Sequence, residues 1–520
     1  MDSKQKVADR IQFSPQVRLN LTVIGSGLIY LAFTLAFPLS RYYAVNPPVD
    51  YAKLTHHSVF GFAAYLAGIT ALFGLYVLGL RSLSAFDSNQ TPKKTLRFVF
   101  LCAMVFALIL LFSYPQTAID ILVYALHSRG WALYGLSPFT SSTNAFPAND
   151  PWLGLAGEWA GSASPYGPVW EWLSLGAYYL SGGNYLGQLF VLKVISLLAY
   201  LGSAWLVYQI LRLIRPKWAI TGLALFAWNP LVLFESVQNG HNDIVMVFFL
   251  LMAIRAYVRL MQNPADQWPL WLSAVFVIAF ALSILVKFIT LLVLPFLLLG
   301  LAFRSAGWGR RILIMALYGA AIISISVLVM LPYWPGVENW AVLQAGRGAG
   351  RSLFALLVLT FIPRTGSTSA AFDFTSILIY SIFGAIYLWG LWLLFSQGLK
   401  KTKKRNISLE AVLETSLRVS FYIFFWYVLI VATVFHAWYL LWFLPLVAFL
   451  IPEVRPLSGA LIFSLMALLI IPYYETIRVW IPYLNQNHWW GHLIGVTVLL
   501  VPVLLFVWKP LRILPEVENP

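Results

Sequence analysis

Apolar runs of roughly 20 residues recur along the whole chain, and nothing else in the sequence constrains the fold as strongly. A run of that length crosses the hydrocarbon core of a bilayer as one helix, which satisfies its own backbone polar groups where water is absent. About fourteen such segments can be read, near 17–38, 57–80, 97–114, 186–212, 219–235, 243–260, 270–286, 288–303, 311–331, 374–397, 412–434, 438–452, 457–473 and 491–508. The chain is 60% hydrophobic and 10% charged, against about 25% charged in a soluble domain. The expected fold class is therefore an all-α polytopic membrane protein of about 14 transmembrane helices, with interfacial helices in long outer loops.

The net charge of +15 raises the possibility of a nucleic-acid partner, but the placement of the charge argues for topology. "RSLSAFDSNQTPKK", "RLIRPK", "FRSAGWGRR" and "KKTKKR" all fall on one side of the threaded helices. Lys and Arg mark the cytoplasmic side, and 25 of the 34 basic residues lie on or toward it. Both termini come out cytoplasmic, and no nucleic acid is expected. The first 17 residues are too polar for a signal-peptide core, so the first helix is expected to remain as an anchor. A single cysteine, Cys102, excludes an intramolecular disulfide and a cysteine-based metal site.

The opposite side carries three long segments near 115–185, 332–373 and 474–490, rich in Trp, Tyr, Pro and Gly, together with ten of the 19 acidic residues. Long loops of this kind are usually functional. They are too aromatic for disordered linkers, so short amphipathic helices folded onto the membrane are expected, and any chemistry faces outward.

Within "SYPQTAIDILVYALHSRGWALYGLSPF", Asp120, Tyr124, His127 and Trp131 share one helical face. Ile119, Leu122, Leu126 and Leu133 form the other, which predicts a helix with its apolar side in lipid and its polar side on a cavity. Asp120 as a plain helix-terminal carboxylate is the bland alternative. In "FESVQNGHNDIVMVF", Asn239-Gly240 is turn chemistry and Asn242 an expected N-cap. The helix start there suits a phosphate, with His241 as a further donor; Asp243 at a merely well-capped hairpin is the other reading. Lys287, between two short apolar runs, either snorkels or pairs with a phosphate. Lys193 lies deep in its helix and calls for an acidic partner. Arg347 and Arg351 in "QAGRGAGRSLF" suit a phosphate clamp or a plain basic loop. His436, Trp438, Tyr439 and Trp442 cluster as an interfacial aromatic belt or a sugar-stacking surface. No phosphate-binding glycine loop and no zinc-ligand spacing occurs.

"AIDILVYALHSRGWALYGLSPF", "SPYGPVW", "QNGHND", "VKFITLLVLP" and "FHAWYLLWFLPL" follow the order and rough spacing of a known family. The chain resembles bacterial polyprenyl-phosphate-mannose-dependent α-mannosyltransferases of the GT-C superfamily, over about residues 113–446. The resemblance implies an inverting enzyme acting on the outer face, with Asp120 as catalytic base. It implies a GT-C-like core over 97–452, preceded by two additional helices within 1–96 and followed by C-terminal helices over 453–520. Relatives often carry an acidic pair in the first loop; here Asp120 precedes "ILVY" and Asp150 lies far along, so a divalent metal has no pair to hold it.

The expected function is transfer of a sugar, mannose by resemblance, from a polyprenyl-phosphate donor to a glycan or glycolipid acceptor. Lys287, His241, Arg347 and Arg351 would hold the donor phosphate. Tyr124, His127, Asp150, Tyr166, Asn242, Asp243, His436, Trp438 and Tyr439 would bind substrate. A lipid-linked sugar flippase and a glycan polymerase or ligase are the rival readings; Lys193 is the feature that fits a transporter.

Overall fold

The computed structural model describes residues 14–45, 48–49, 58–84, 92–264, 267–337, 348–400, 409–512 and 514. Among them every regular element is helical. The elements used below are α1 (Pro15–Ala36), α2 (Val59–Ser84), α3 (Pro92–Leu111), α4 (Asp120–Tyr134), α5 (Pro168–Leu180), α6 (Tyr185–Ile214), α7 (Ala219–Ala227) and α8 (Asp243–Gln262). They continue as α9 (Leu270–Val286), α10 (Leu294–Ala302), α11 (Trp308–Met330), α12 (Leu353–Thr365), α13 (Thr368–Leu399), α14 (Leu409–Trp426), α15 (Val454–Pro472) and α16 (His488–Trp508).

Ten helices among the described residues are long and apolar enough to cross a membrane: α1, α2, α3, α6, α8, α11, α13, α14, α15 and α16. The chain is an integral membrane protein. The count is lower than the fourteen apolar runs because several runs are broken, and proline explains where. Pro230, Pro295 and Pro445 each stand in the first turn of a new short helix, where a missing N–H costs nothing, and before Pro230 the residue Asn229 is extended (φ −63°, ψ 121°). Thus 219–235 becomes two pieces bent by 56°. The runs 270–286 and 288–303 are separated by an extended Lys287 (φ −155°, ψ 123°), and 438–452 becomes a 3-10 segment, Ala437–Trp442, and the five-residue helix Leu444–Ala448.

Side-chain caps set several starts: Ser14 for α1, Asn184 for α6, Ser352 for α12 and Ser367 for α13 each accept a backbone N–H of the first turn. The core gathers around α8, 72% of whose apolar window is buried, whereas 11% is buried in Trp308–Tyr333, which leaves that helix facing lipid. α4 corrects one expectation. Ile119, Leu122 and Leu126 are buried because α4 packs on α5 and α6, so most of its apolar side meets protein rather than lipid, and Leu133 near its end stays exposed.

Candidate functional site

The turn Asn239–Asn242 is the organising piece. Gly240 has φ +71°, a left-handed conformation that favours glycine, and a Cβ there would press on Ile121 Cδ1 at 2.6 Å. Just before it the helix ends in a π-turn, Phe234–Gln238, which turns Glu235 inward. Asn239 Nδ2 donates to Glu235 Oε2 at 2.7 Å, and its Oδ1 accepts from the backbone N–H of Gln116 at 2.6 Å. Thr117 Oγ1 lies 3.0 Å from both carboxylate oxygens of Glu235. These bonds tie the bend that leads into α4 onto the turn, and three residues after Thr117 the chain delivers Asp120.

His241 stands between the two carboxylates. Its Nδ1 is 3.1 Å from Glu235 Oε2 and 3.1 Å from the Glu235 carbonyl oxygen, and its Nε2 is 3.8 Å from Asp120 Oδ2. The Asp120 side chain keeps 12% exposure, the others of this chain of contacts being closed off. Tyr166 Oη lies 3.5 Å from Asp120 Oδ2 and 3.4 Å from Tyr124 Oη.

Lys287 completes the site from the break between α9 and α10. Its Nζ donates to Asp243 Oδ1 at 2.8 Å and Oδ2 at 3.0 Å. It also faces the rings of Tyr166, Tyr439 and Trp442 at 5.6, 5.3 and 5.5 Å, an arrangement in which ring quadrupoles favour the cation. Trp442 Nε1 donates to Asp243 Oδ1 at 2.5 Å. "SPYGPVW" reaches this corner because Gly167 N–H donates to Val286 O at 3.1 Å, which docks Tyr166 beside Lys287. A stacked row, His241–Trp438 at 4.1 Å and Trp438–His436 at 4.2 Å, leads from the site to a cavity lined by Thr117, Arg351, His436 and Tyr474.

Burial opposes a charged imidazole at His241, but the bond and charge of Glu235, with Asp120 and Asp243 behind it, outweigh burial and lift its pKa above the ordinary value. His436 goes the other way: burial, with Arg351, Lys287 and His241 nearby, holds it well below the ordinary value. Burial pushes His127 down to about 4, its Nε2 lying 3.1 Å from the Ser162 carbonyl.

Asp120, Tyr124, Tyr166, His241, Asp243, Lys287, Trp438 and Tyr439 thus come together, with His436 one ring further out. Asp150 does not join them. It is held by Arg129 Nε at 2.9 Å, the Trp152 N–H at 2.7 Å and the Tyr134 hydroxyl, and fastens the loop after α4. His127 is buried against that loop. Arg351 pairs with Glu475 at the cavity's far wall, and Arg347 lies outside the described residues. Asn242 stands at the N-cap position of α8 (φ −65°, ψ −14°), but its side chain makes no capping bond, and both of its buried amide atoms lack a partner. Lys193 meets carbonyls rather than an acid, donating to Leu110 O at 3.2 Å and to Ser113 O, where the end of α3 leaves acceptors unsatisfied. The residues that sequence reasoning missed are Glu235, Thr117 and Asn239 as an acceptor-donor set. A lone carboxylate inside "LVLFESVQ" was the available signal. Among the described residues no three His, Cys, Asp or Glu side chains are grouped so as to hold a metal ion.

Broken helices converging on a carboxylate–imidazole–ammonium centre define a polytopic membrane protein with a polar reaction-type site at one end of its bundle. Residues 20–303 match the family model described as alpha-(1->6)-mannopyranosyltransferase, N-terminal domain, and the chain belongs to that family. The match begins inside α1, takes in α2 and α3, and extends beyond Lys287. A probable alpha-(1->6)-mannopyranosyltransferase of Mycolicibacterium smegmatis is 26% identical over 312 residues, 55% of this chain and 51% of the relative, so the chain spans about half the length of the curated relative it matches. Similar solved structures include the Archaeoglobus fulgidus oligosaccharyltransferase AglB in complex with an inhibitory peptide and a dolichol-phosphate (15% identity, 80% of this chain and 56% of that one, TM-score 0.41). ArnT from Cupriavidus metallidurans bound to undecaprenyl phosphate is another (13% identity, 82% and 77%, TM-score 0.40).

Proposed function

We propose that the protein is an inverting glycosyltransferase that moves mannose from a polyprenyl-phosphate donor to a glycan or glycolipid acceptor at the extracytoplasmic face, with both termini cytoplasmic. The observation that carries the reading is that Asp120, His241 and the Lys287–Asp243 pair cluster around Tyr166, with His241 Nε2 3.8 Å and Tyr166 Oη 3.5 Å from Asp120 Oδ2 and the Lys287 ammonium 5.6 Å from the Tyr166 ring. A sugar on a lipid phosphate is already activated, so two tasks remain: a base for the acceptor hydroxyl and positive charge for the departing phosphate. The acceptor oxygen forms its bond to the anomeric carbon as the carbon–phosphate oxygen bond breaks. Asp120 takes the hydroxyl proton, and the polyprenyl phosphate leaves as an anion toward Lys287 and His241. Tyr124, Tyr166, His436, Trp438 and Tyr439 offer faces and hydroxyls to the sugars, with Asn242 and Asp243 beside them. Arg351, in the lining of the adjoining cavity, belongs to the route by which the lipid phosphate approaches. The face assignment rests on the bias of Lys and Arg to the other side.

The test is transfer from labelled polyprenyl-phosphate mannose by purified protein. Asp120→Asn should fold and bind donor while turnover falls by about 10²–10⁴. Near-normal turnover would remove Asp120 from the role. Movement of lipid-linked sugar across vesicles without a glycosidic product would favour the flippase, a reading that loses its motive once Lys193 is seen to hold backbone carbonyls.

A further inference from the structure

Glu235 is the least expected charge in the molecule: a carboxylate with 0% exposure on a π-turn, one of the irregularities that recur at functional sites. Its oxygens accept from Thr117 Oγ1 at 3.0 Å and Asn239 Nδ2 at 2.7 Å, and one lies 3.1 Å from His241 Nδ1. Both neighbours of Nδ1, this carboxylate and the Glu235 carbonyl, are acceptors only, so Nδ1 carries a proton. Nε2 is buried, has no hydrogen-bond partner, and its nearest anion is Asp120. A group locked on one side and open toward the reactive carboxylate on the other is what a positioned imidazole requires.

We infer that Glu235, held by Thr117 and Asn239, is a positioning residue that keeps His241 doubly protonated with Nε2–H aimed at Asp120 and the departing phosphate. The inference rests on the proposed glycosyl transfer and adds a charge order to it, alternating carboxylate, imidazolium, carboxylate. The other groups facing His241 are consistent with it. Asp243 adds negative charge from α8, Lys287 is engaged by Asp243, Lys193 is turned onto the end of α3, and His436 is separated from it by the Trp438 ring.

The sign follows. If the imidazolium is the working form, activity is lost as pH rises through the raised His241 pKa. Removing the Glu235 charge lowers that pKa and moves the loss to lower pH. Glu235→Gln should therefore shift the alkaline limb of kcat/KM downward by about one pH unit and reduce kcat about 100-fold, with KM for donor much less affected. Glu235→Asp, which keeps the charge on a shorter arm, should restore the limb to its original position even if kcat stays low. A purely structural Glu235 would lower the amount of folded enzyme and leave the limb in place. ¹⁵N-histidine NMR, with His241→Gln identifying the resonance, reads the same charge state without turnover: the wild-type ring should titrate at higher pH than in Glu235→Gln. If Glu235→Gln does not accumulate, Thr117→Val should shift the limb and the resonance in the same direction by less. An unmoved limb and an unmoved resonance would overturn the inference. Indifference of transfer to Asp120→Asn would instead overturn the proposed function, leaving the NMR result to decide the role of Glu235.

Discussion

Gly167→Ala isolates how the outer loop holds the site. Gly167 has an ordinary negative φ of −88°, so its need for glycine is one of space. An alanine Cβ would stand 2.0 Å from Leu285 O, 2.5 Å from Leu285 C and 3.0 Å from its Cα, where 3.4 Å begins ordinary contact. These are backbone atoms ending α9 and cannot rotate aside, so the loop must retreat by more than about 1 Å. Retreat breaks the 3.1 Å bond from Gly167 N–H to Val286 O, a loss of about 1 kcal/mol. It also carries Tyr166, the adjacent residue, away from Asp120 and from the Lys287 ammonium. A displacement of about 1 Å at a reacting centre costs on the order of 10² in rate, equivalent to about 2.7 kcal/mol of activation free energy. Steady-state transfer from labelled polyprenyl-phosphate mannose, at equal amounts of folded protein, measures it. Gly176→Ala on α5 is the control, since a Cβ there meets nothing within 4 Å and alanine favours a helix. Turnover of Gly167→Ala within about threefold of wild type would refute the docking argument.

Lys287→Met strands the Asp243 carboxylate, whose side chain is 1% exposed, and should destabilise the protein by about 3–5 kcal/mol. Asp243→Asn should cost comparably, and the double variant should melt above either single one; additive losses in a double-mutant cycle would remove the pair from the stabilising contacts. Asp150→Asn should weaken the fold through the Arg129, Tyr134 and Trp152 contacts while the folded fraction keeps its kcat, and a kcat defect at full folding would return Asp150 to the substrate site. The Asp150 pKa is lowered: burial pushes it up, but Tyr134, the Trp152 N–H and Arg129 outweigh burial. Its stabilising contribution is therefore present above the ordinary carboxylate range and lost as pH falls through the lowered value. Wild type and Asp150→Asn melting temperatures should converge only at strongly acid pH.

The long apolar runs and the rare polar residues inside them were legible, because membrane burial makes a charge conspicuous. Asp120, "QNGHND" and Lys287 stand out for that reason, and they do meet. What hydropathy cannot separate is an unbroken helix from two pieces joined at a proline, hence the excess of spans around Pro230, Pro295 and Pro445. Nor does an apolar stripe say whether its neighbour is lipid or protein, since both are equally apolar; α4 shows the second case. Asn242 looks like a cap by spacing and does stand just before α8, but its side chain makes no capping bond and is buried in the interior instead. By depth alone Lys193 calls for an acid, whereas the chain at the end of α3 supplies carbonyls, a partner that has no side-chain signature. Glu235 shows in the sequence only as a lone carboxylate in an apolar run, because its role depends on a π-turn, which registers as one extra residue in an otherwise helical stretch.

The geometry at Lys287 limits how a phosphate can use it. An ammonium has three N–H donors, and here both Asp243 oxygens lie within 3.0 Å while three aromatic rings close around it. On the proposed reading a donor phosphate cannot take the whole cation without stranding Asp243 in a buried position, and the Trp442 N–H alone is too weak to replace an ammonium there. The phosphate is therefore better shared, with a remaining Lys287 donor on one side and the unpartnered His241 Nε2 on the other. That sharing works only if His241 carries its second proton, which is the condition Glu235 sets. Lys287 and Glu235, from breaks in two different helices, then act on the same leaving group, one directly and one through an imidazole.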